Sequence, residues 1–248
     1  MSLPRGWRDF AFQISLWLGF LLAYQVARGI SRNENALAFH NAARVVQLER
    51  RLGIFVEPTI QRRLIDAGGA LLHAANWTYW LSEFAVVSLA LLWVYLCRYE
   101  AFIRFRNWIL LTNVLGLFVY AWVPTAPPRM LPWDGFVDTL GRSEALNHGT
   151  GLIQIVANPY AAMPSLHSAD ALIVGVTLAS VVASRWGRLW LLWPVWVSLA
   201  LVSTANHFWI DIAAGFALAG LAALILGGKA AVRFRGRPDA PPTAPAGS

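Results

Sequence analysis

Two stretches of the sequence decide its fold and its chemistry: AMPSLHSAD at residues 162–170 and STANHFWID at residues 203–211. Each places a histidine, His167 or His207, at the start of a long apolar run, with an aspartate a few residues further on. Because side chains four positions apart lie on one face of a helix, Asp211 is expected to reach the imidazole of His207. A carboxylate that accepts one ring N–H leaves the other nitrogen available as a nucleophile, and His167 is then the candidate acid.

The composition is typical of a membrane protein. Of 248 residues, 57% are hydrophobic and only 13% are charged, whereas soluble domains carry about 25% charged residues. A large soluble α-protein with an apolar core is the alternative, and it fits these values poorly. The net charge of +7 is compatible with nucleic-acid binding, but basic residues in an apolar chain more often mark cytoplasmic loops, so we expect no nucleic-acid partner. Cys97 is the single cysteine, which excludes an intrachain disulfide.

Six apolar runs approach the roughly 20 residues that cross a bilayer. The predicted fold is therefore an all-α polytopic membrane protein with six transmembrane helices, at residues 10–27, 77–97, 107–123, 165–184, 189–205 and 209–227. The first run could be a signal peptide, but no convincing cleavage site follows it, so a retained helix is favoured. In the last run, Ala213, Ala217 and Gly220 predict a small-residue face suited to close packing.

Residues 28–76 differ from the six runs. Apolar positions recur there at helical spacing with charged residues between them: Leu37, Val45, Leu48 and Leu52 against Arg44, Glu49, Arg50 and Arg51. This pattern predicts an amphipathic helical segment lying in the membrane interface between the first and second spans. A role as a plain connecting segment with a solvated charged face and a direct role in substrate access are both open for it. One membrane domain is predicted over residues 1–235, followed by a disordered Pro/Ala/Gly-rich tail at 236–248.

The distribution of basic residues predicts that both termini are cytoplasmic. Eleven Lys and Arg flank the inner ends of the spans in that orientation, whereas the outer loops hold Arg129 and Arg142. The seven arginines of residues 28–76 weigh against it, although the length and amphipathic character of that segment soften the objection. In this orientation the histidine stretches face the outer (periplasmic, exoplasmic or lumenal) side.

The six-span topology also brings the run PTAPPR at residues 124–129 to the same membrane face as both histidine stretches. Ionisable side chains at the membrane boundary are costly, so those in the two stretches are candidates for function: His167, Asp170, His207 and Asp211. Glu83, inside the second span, is more typical of a structural partner for another buried group.

Taken together, Pro164-Ser165-x-His167 and His207-x-x-x-Asp211 resemble the motifs of the type-2 phosphatidic acid phosphatase superfamily. The runs PSLHS and APP are similar to the branch that contains fungal inositol phosphorylceramide synthase. Because two blocks stand in the right order, each at the start of a membrane helix, the resemblance is more specific than either block alone.

The resemblance implies a role for each matching residue. His207 takes the phosphoryl group as a phosphohistidine, Asp211 orients it, and His167 protonates the leaving alcohol or activates the acceptor. Ser165 and nearby backbone N–H groups contact the phosphate oxygens, at a helix N-terminus that favours an anion. Further substrate-binding candidates are Arg129, Asn206 and Asp170, the last of which could instead orient His167 or hold a helix contact. No metal or cofactor is implied.

The chain departs from the superfamily pattern at two cationic positions. The lysine seven residues before Arg129 is replaced by Trp122, and the arginine six residues before His207 is replaced by Leu201. A phosphate site with fewer fixed cations suits a phosphodiester, or transfer to an uncharged acceptor, better than a phosphate monoester. Arg129 is the remaining candidate for the phosphate.

The sequence leaves several functions open. If water accepts the phosphoryl group from the lipid phosphate substrate, the protein is a phosphatase; if a polyol or lipid alcohol accepts it, the protein is a phosphotransferase. A second possibility is metal-dependent hydrolysis, with His167, Asp170, His207 and Asp211 as ligands. A third is a lipid transporter or scramblase without catalysis, although helix ends at mid-membrane depth are expected there and these motifs lie at the ends of spans.

Overall fold

The computed structural model describes residues 3–30, 35–141 and 160–227. Within these ranges the chain is all-helical and contains no β-strand, which confirms the all-α part of the predicted fold. Arg142, the basic residues at 229–237 and the tail at 236–248 lie outside the described residues.

Nine α-helices are present in the described ranges: α1 Gly6–Ile30, α2 Asn35–Leu52, α3 Glu57–Asp66, α4 Gly69–Leu81, α5 Val87–Cys97, α6 Tyr99–Trp122, α7 Leu166–Val181, α8 Leu192–Ser203 and α9 Trp209–Ile225. A π-helical turn, Ser82–Val86, joins α4 to α5, so that Gly69–Cys97 forms one long helix. A 3₁₀ segment, Arg185–Leu191, precedes α8 and lengthens it.

Three of these helical stretches are long and apolar enough to cross a membrane: Gly69–Cys97, Tyr99–Trp122 and Arg185–Ser203. Leu166–Val181 and Trp209–Ile225 are apolar but shorter. These helices indicate a membrane protein. The second and third predicted spans begin earlier than expected, because helix propagation does not stop where hydropathy falls. Arg106, expected outside the span, lies within α6, and its guanidinium donates to Asn107 at 2.8 Å.

Helix α7 lies at the centre of the bundle and packs against α5, α6, α8 and α9. Apolar residues around its circumference are buried, among them Leu166, Ala171, Ile173 and Val174. A helix that is apolar on all sides is stabilised by being surrounded, which explains its position in the core. Its first turn carries His167.

Contacts between helices define the two ends of the bundle. At one end, the Arg5 guanidinium lies 5.2 Å from the centre of the Tyr99 ring, and Arg98 Nε donates to the Val181 carbonyl at 3.1 Å. At the other end, the Tyr120 hydroxyl donates to the Pro164 carbonyl at 2.9 Å. Both histidine stretches lie at this second end, where α6 finishes and α7 and α9 begin.

The close-packing face of α9 is not the one expected. Ala213, Ala217 and Gly220 are exposed, whereas Gly215 is buried against the start of α7. A Cβ atom on Gly215 would overlap the backbone carbonyl of Ser165, which cannot move without displacing the first turn of α7. Glycine at this position therefore allows the two helices that carry the histidines to approach each other.

We expect Gly215→Ala to destabilise the protein by about 1–3 kcal/mol, because the added methyl group overpacks the α7–α9 contact. Gly220→Ala is the matched control, since a Cβ there meets no atom within 4 Å. Thermal unfolding of both variants in detergent tests the expectation. Equal unfolding midpoints for the two variants would contradict the tight contact.

Candidate active site

The two imidazoles meet in one small pocket. The ring centroids of His167 and His207 are 5.6 Å apart, with an angle of 55° between the ring planes. Both side chains are almost fully buried. The pocket has a volume of about 330 Å³, its open mouth included, and Glu83, Arg129 and Asn206 also contribute to its wall. The structure thus brings together four of the residues nominated from sequence, namely His167, His207, Arg129 and Asn206, and adds Glu83.

A tight turn between α8 and α9 presents His207 to this pocket. The backbone N–H groups of Asn206 and His207 both donate to the carbonyl of Leu201, at 2.9 and 3.3 Å. Ala205, in the same turn, has φ of +56°, a left-handed conformation that costs an L-residue roughly 1–2 kcal/mol. The surrounding hydrogen bonds hold this turn against that cost, so the position of His207 is set by the backbone.

The partner of His207 Nδ1 is a backbone carbonyl. Nδ1 lies 2.9 Å from the carbonyl oxygen of Ala162, whereas Asp211 Oδ2 is 3.6 Å away, beyond hydrogen-bonding distance. Asp211 Oδ2 instead accepts the backbone N–H of Phe208 at 3.0 Å, because an acidic side chain in the first turn of a helix can cap it. A neutral ring that donates from Nδ1 carries its lone pair on Nε2, the nitrogen that can then attack.

Arg129 and Asn206 form the polar wall beside His207. Asn206 Oδ1 accepts from Arg129 Nη1, and Asn206 Nδ2 donates to Thr204 Oγ1 at 2.7 Å. The backbone N–H of Arg129 also donates to the Ala205 carbonyl at 2.8 Å. The half-buried guanidinium is therefore tied to the turn that carries His207, on the side where an anion would meet both groups.

The structure gives Ser165 and Asp170 partners other than a substrate. Ser165 Oγ caps α7 by accepting the Ser168 N–H at 3.3 Å, and the Ser165 N–H donates to the Asp211 carbonyl at 2.9 Å. Asp170 Oδ1 accepts from Asn113 Nδ2 of α6 at 2.9 Å. Neither side chain is part of the pocket wall. Of the three roles expected for Asp170, namely substrate binding, orientation of His167 and a helix contact, the helix contact is the one that its geometry matches.

His167 is held by residues of the long helix α4–α5. Glu83 Oε2 lies 3.2 Å from His167 Nε2, and the Tyr79 ring stacks on the imidazole with a centroid distance of 4.6 Å and an angle of 15°. Glu83 stood out in the sequence as a carboxylate in an apolar run, and it does pair with a buried group. Its partner could not be predicted, because His167 lies far from Glu83 in the sequence and no local pattern links the two residues.

Two further carboxylates, missed from sequence, hold the start of α9. Glu49 Oε1 accepts the Ile210 N–H at 2.9 Å and Glu57 Oε1 accepts the Trp209 N–H at 3.3 Å, and both side chains are fully buried. The expectation that Glu49 lies on a solvated or interfacial face is therefore wrong. The spacing along α2 could have indicated this burial, because Glu49 lies on the same helix face as the small buried residue Ala42.

Within residues 3–30, 35–141 and 160–227, no three His, Cys, Asp or Glu side chains converge in a way that could hold a metal ion. The four ligands considered for a metal-dependent reaction have different neighbours: His207 lies near Asp211, His167 lies beside Glu83, and Asp170 accepts from Asn113. This geometry gives the metal-ligand alternative no support.

The fold and the pocket thus define a helical membrane protein with paired histidines at one end of its bundle. A family model described as the PAP2 superfamily matches residues 43–225, which is most of the chain. The chain belongs to the PAP2 superfamily, the superfamily that its two histidine stretches resemble, and membership indicates phosphatase-type activity. No curated protein and no solved structure matches the chain.

The buried pair at the start of α9 predicts a pH dependence of stability. Burial, and then the adjoining Glu57 carboxyl, raises the pKa of Glu49 to about 9. The folded protein therefore keeps a proton that the unfolded chain releases above about pH 4.3. Its stabilising effect is complete below that pH and is lost as the pH rises toward about 9. We expect the unfolding midpoint to fall over this range.

Glu49→Gln removes the ionisation but keeps an oxygen for the Ile210 N–H and an N–H group for Glu57. Its unfolding midpoint should decline less than that of the unchanged protein between about pH 5 and about pH 9. Glu100→Gln, at an exposed position, is the control and should keep the original slope. If all three slopes were equal, the proton would not reside on this pair.

Proposed function

We propose that the protein is an integral membrane enzyme that cleaves a lipid-linked phosphate ester through a phosphohistidine on His207. The phosphoryl group or phospho-headgroup then passes to a polyol or lipid alcohol, or to water. The observation that carries the proposal is the pair of imidazoles 5.6 Å apart in one pocket with the Arg129 guanidinium. That spacing accommodates a phosphorus centre between a nucleophile and an acid.

Each step of the proposed reaction balances with the residues present. In the first half, a bond forms between His207 Nε2 and phosphorus, the phosphorus–oxygen bond of the ester breaks, and a proton leaves His167 for the departing oxygen. In the second half, the acceptor oxygen bonds to phosphorus, the nitrogen–phosphorus bond breaks, and the acceptor's proton goes to His167. The Ala162 carbonyl, with Asp211 close by, stabilises the charge that develops on His207.

The charge of the pocket wall supports a phosphodiester substrate. Among the described residues that line it, Arg129 is the fixed cation and Glu83 is a carboxylate. A doubly charged monoester would meet one cation and one anion, whereas a singly charged diester is matched more closely. This balance, together with the run PSLHS, favours transfer of a phospho-headgroup to an alcohol, as in the inositol phosphorylceramide synthase branch.

Exposed apolar side chains support six transmembrane helices with an interfacial segment between the first and second. Trp7 and Trp186 are exposed at the end of the bundle that carries Arg5, and Trp122 is exposed at the end that carries the pocket, as expected for two membrane interfaces. Helix α2 exposes Leu37, Leu48 and Leu52, the face that would contact lipid. The distribution of basic residues along the sequence supports a pocket on the outer side, with both termini cytoplasmic.

Replacement of the nucleophile gives the most direct test. A short-chain phosphatidylinositol and a short-chain phosphatidic acid, each labelled with ³²P, are offered to the protein in detergent with and without free inositol. We expect His207→Ala to abolish turnover and ³²P-labelling of the protein, because no other group then forms the covalent intermediate. His167→Ala should slow both half-reactions by about 100-fold or more.

His40→Ala is the matched control, since His40 lies exposed on α2 away from the pocket wall, and it should behave as the unchanged protein. With labelled phosphatidic acid, label recovered in inositol phosphate when free inositol is present would support transfer, and label recovered as inorganic phosphate would support hydrolysis. Turnover that persists in His207→Ala would remove the proposed nucleophile.

Loss of the pocket's fixed cation should act on substrate binding. We expect Arg129→Ala to raise KM about 10-fold or more, because one charge-assisted contact to the phosphate contributes about 1.5–3 kcal/mol. Arg44→Ala, at an exposed position of α2, provides the control. An unchanged KM in Arg129→Ala would show that Arg129 does not contact the phosphate.

A further inference from the structure

The long helix α4–α5 carries an ionisable side chain at a buried position, where burial of an apolar residue would cost less free energy. Glu83 is 6% exposed and lies in the π-helical turn, Ser82–Val86. Such turns interrupt the regular hydrogen-bond ladder and often occur at functional sites. A carboxylate inside an apolar helix is costly unless a partner stabilises it, which makes its contacts informative.

Both carboxylate oxygens of Glu83 have defined partners. Oε2 lies 3.2 Å from His167 Nε2, and Oε1 accepts the hydroxyl of Tyr24 from α1 at 3.2 Å. Tyr79, one turn before Glu83 on the same helical stretch, stacks on the face of the His167 ring. One helix therefore fixes both the plane of this imidazole and the direction of its Nε2 atom.

The carboxylate that the sequence offered for this role is engaged elsewhere. Asp170 follows His167 on α7, but its Oδ1 atom accepts from Asn113. The two imidazoles of the pocket thus have separate acceptors, the Ala162 carbonyl for His207 and the Glu83 carboxylate for His167. The acceptors differ in charge: a neutral carbonyl favours a neutral ring, whereas a carboxylate stabilises an imidazolium. This difference separates a nucleophile from an acid.

We infer that Glu83 is the positioning residue for the general acid: it holds His167 as an imidazolium whose proton goes to the departing alcohol. This inference rests on the proposed function. The atoms balance as in that scheme: the phosphorus–oxygen bond breaks, the proton moves to the freed oxygen from His167 Nδ1, the ring nitrogen that does not face Glu83, and Glu83 stays ionised throughout. In the second half the acceptor's proton restores the imidazolium, which Glu83 again stabilises.

The test compares leaving groups that differ in their need for a proton. Two phosphodiesters share one octyl chain, and the second alcohol is hexanol in one and 4-nitrophenol in the other. Hexanol must be protonated as it departs, whereas 4-nitrophenol leaves as a weakly basic anion. The rate compared is that of the first half-reaction, measured in a single turnover as release of the alcohol, because the second half-reaction is common to both esters. For Glu83→Gln, which keeps the shape and a hydrogen bond to Tyr24, we expect this rate to fall about 100-fold on the hexyl ester, with substrate affinity little changed. On the nitrophenyl ester the same rate should fall less than about threefold.

A structural role for Glu83 would slow both esters equally, and that result would overturn the inference while leaving the proposed function intact. Because the comparison is made within one variant, partial loss of folded protein does not affect it. Glu100→Gln, exposed on α6, should cleave both esters at the original rates. If the unchanged protein cleaves neither ester by a route that requires His207, the proposed function itself is contradicted. His167→Ala should reproduce the leaving-group dependence of Glu83→Gln.

Discussion

The contact between His207 Nδ1 and the carbonyl of Ala162, 2.9 Å apart, joins the two halves of the site. It links the turn before α9 to the segment that leads into α7, two stretches far apart in the sequence. Around it, the Arg129 N–H binds the Ala205 carbonyl and the Ser165 N–H binds the Asp211 carbonyl. Backbone groups therefore take part in each of these three links, which hold the segments that carry the pocket side chains.

Much of this arrangement was predictable, because a membrane restricts what an apolar chain can do. Long apolar runs must become helices, and their alternation brings every second end to the same face, which is why the two histidine stretches and Arg129 could be expected to meet. The matching family model, residues 43–225, confirms the superfamily that the motifs indicated. The spacing of His207 and Asp211 correctly predicted that the two side chains lie close together. It did not predict that Asp211 accepts its hydrogen bond from the Phe208 N–H and not from the imidazole.

The features that could not be predicted from the sequence all depend on contacts between segments that are distant along the chain. Glu49 was interpreted as part of a charged face because arginines adjoin it, yet the face that packs on α9 is set by small residues such as Ala42, and Glu49 follows their register into the interior. The same holds for Glu83, whose partner is 84 positions further along the chain (167 − 83). Hydropathy reports whether a residue is costly to bury and gives no information about which group compensates for it.

The capping of α9 by Glu49 and Glu57 has a consequence for the connection between α2 and α3. Loops on a protein surface usually tolerate insertions at little energetic expense. Here the two carboxylates lie on either side of the bend at Gly53 and accept hydrogen bonds from adjacent N–H groups, those of Ile210 and Trp209. An added residue in this bend would shift one carboxylate against the other and misalign the helix that follows His207. The connection between α2 and α3 therefore has a fixed length that the position of α9 requires, and natural variation in its length should be rare.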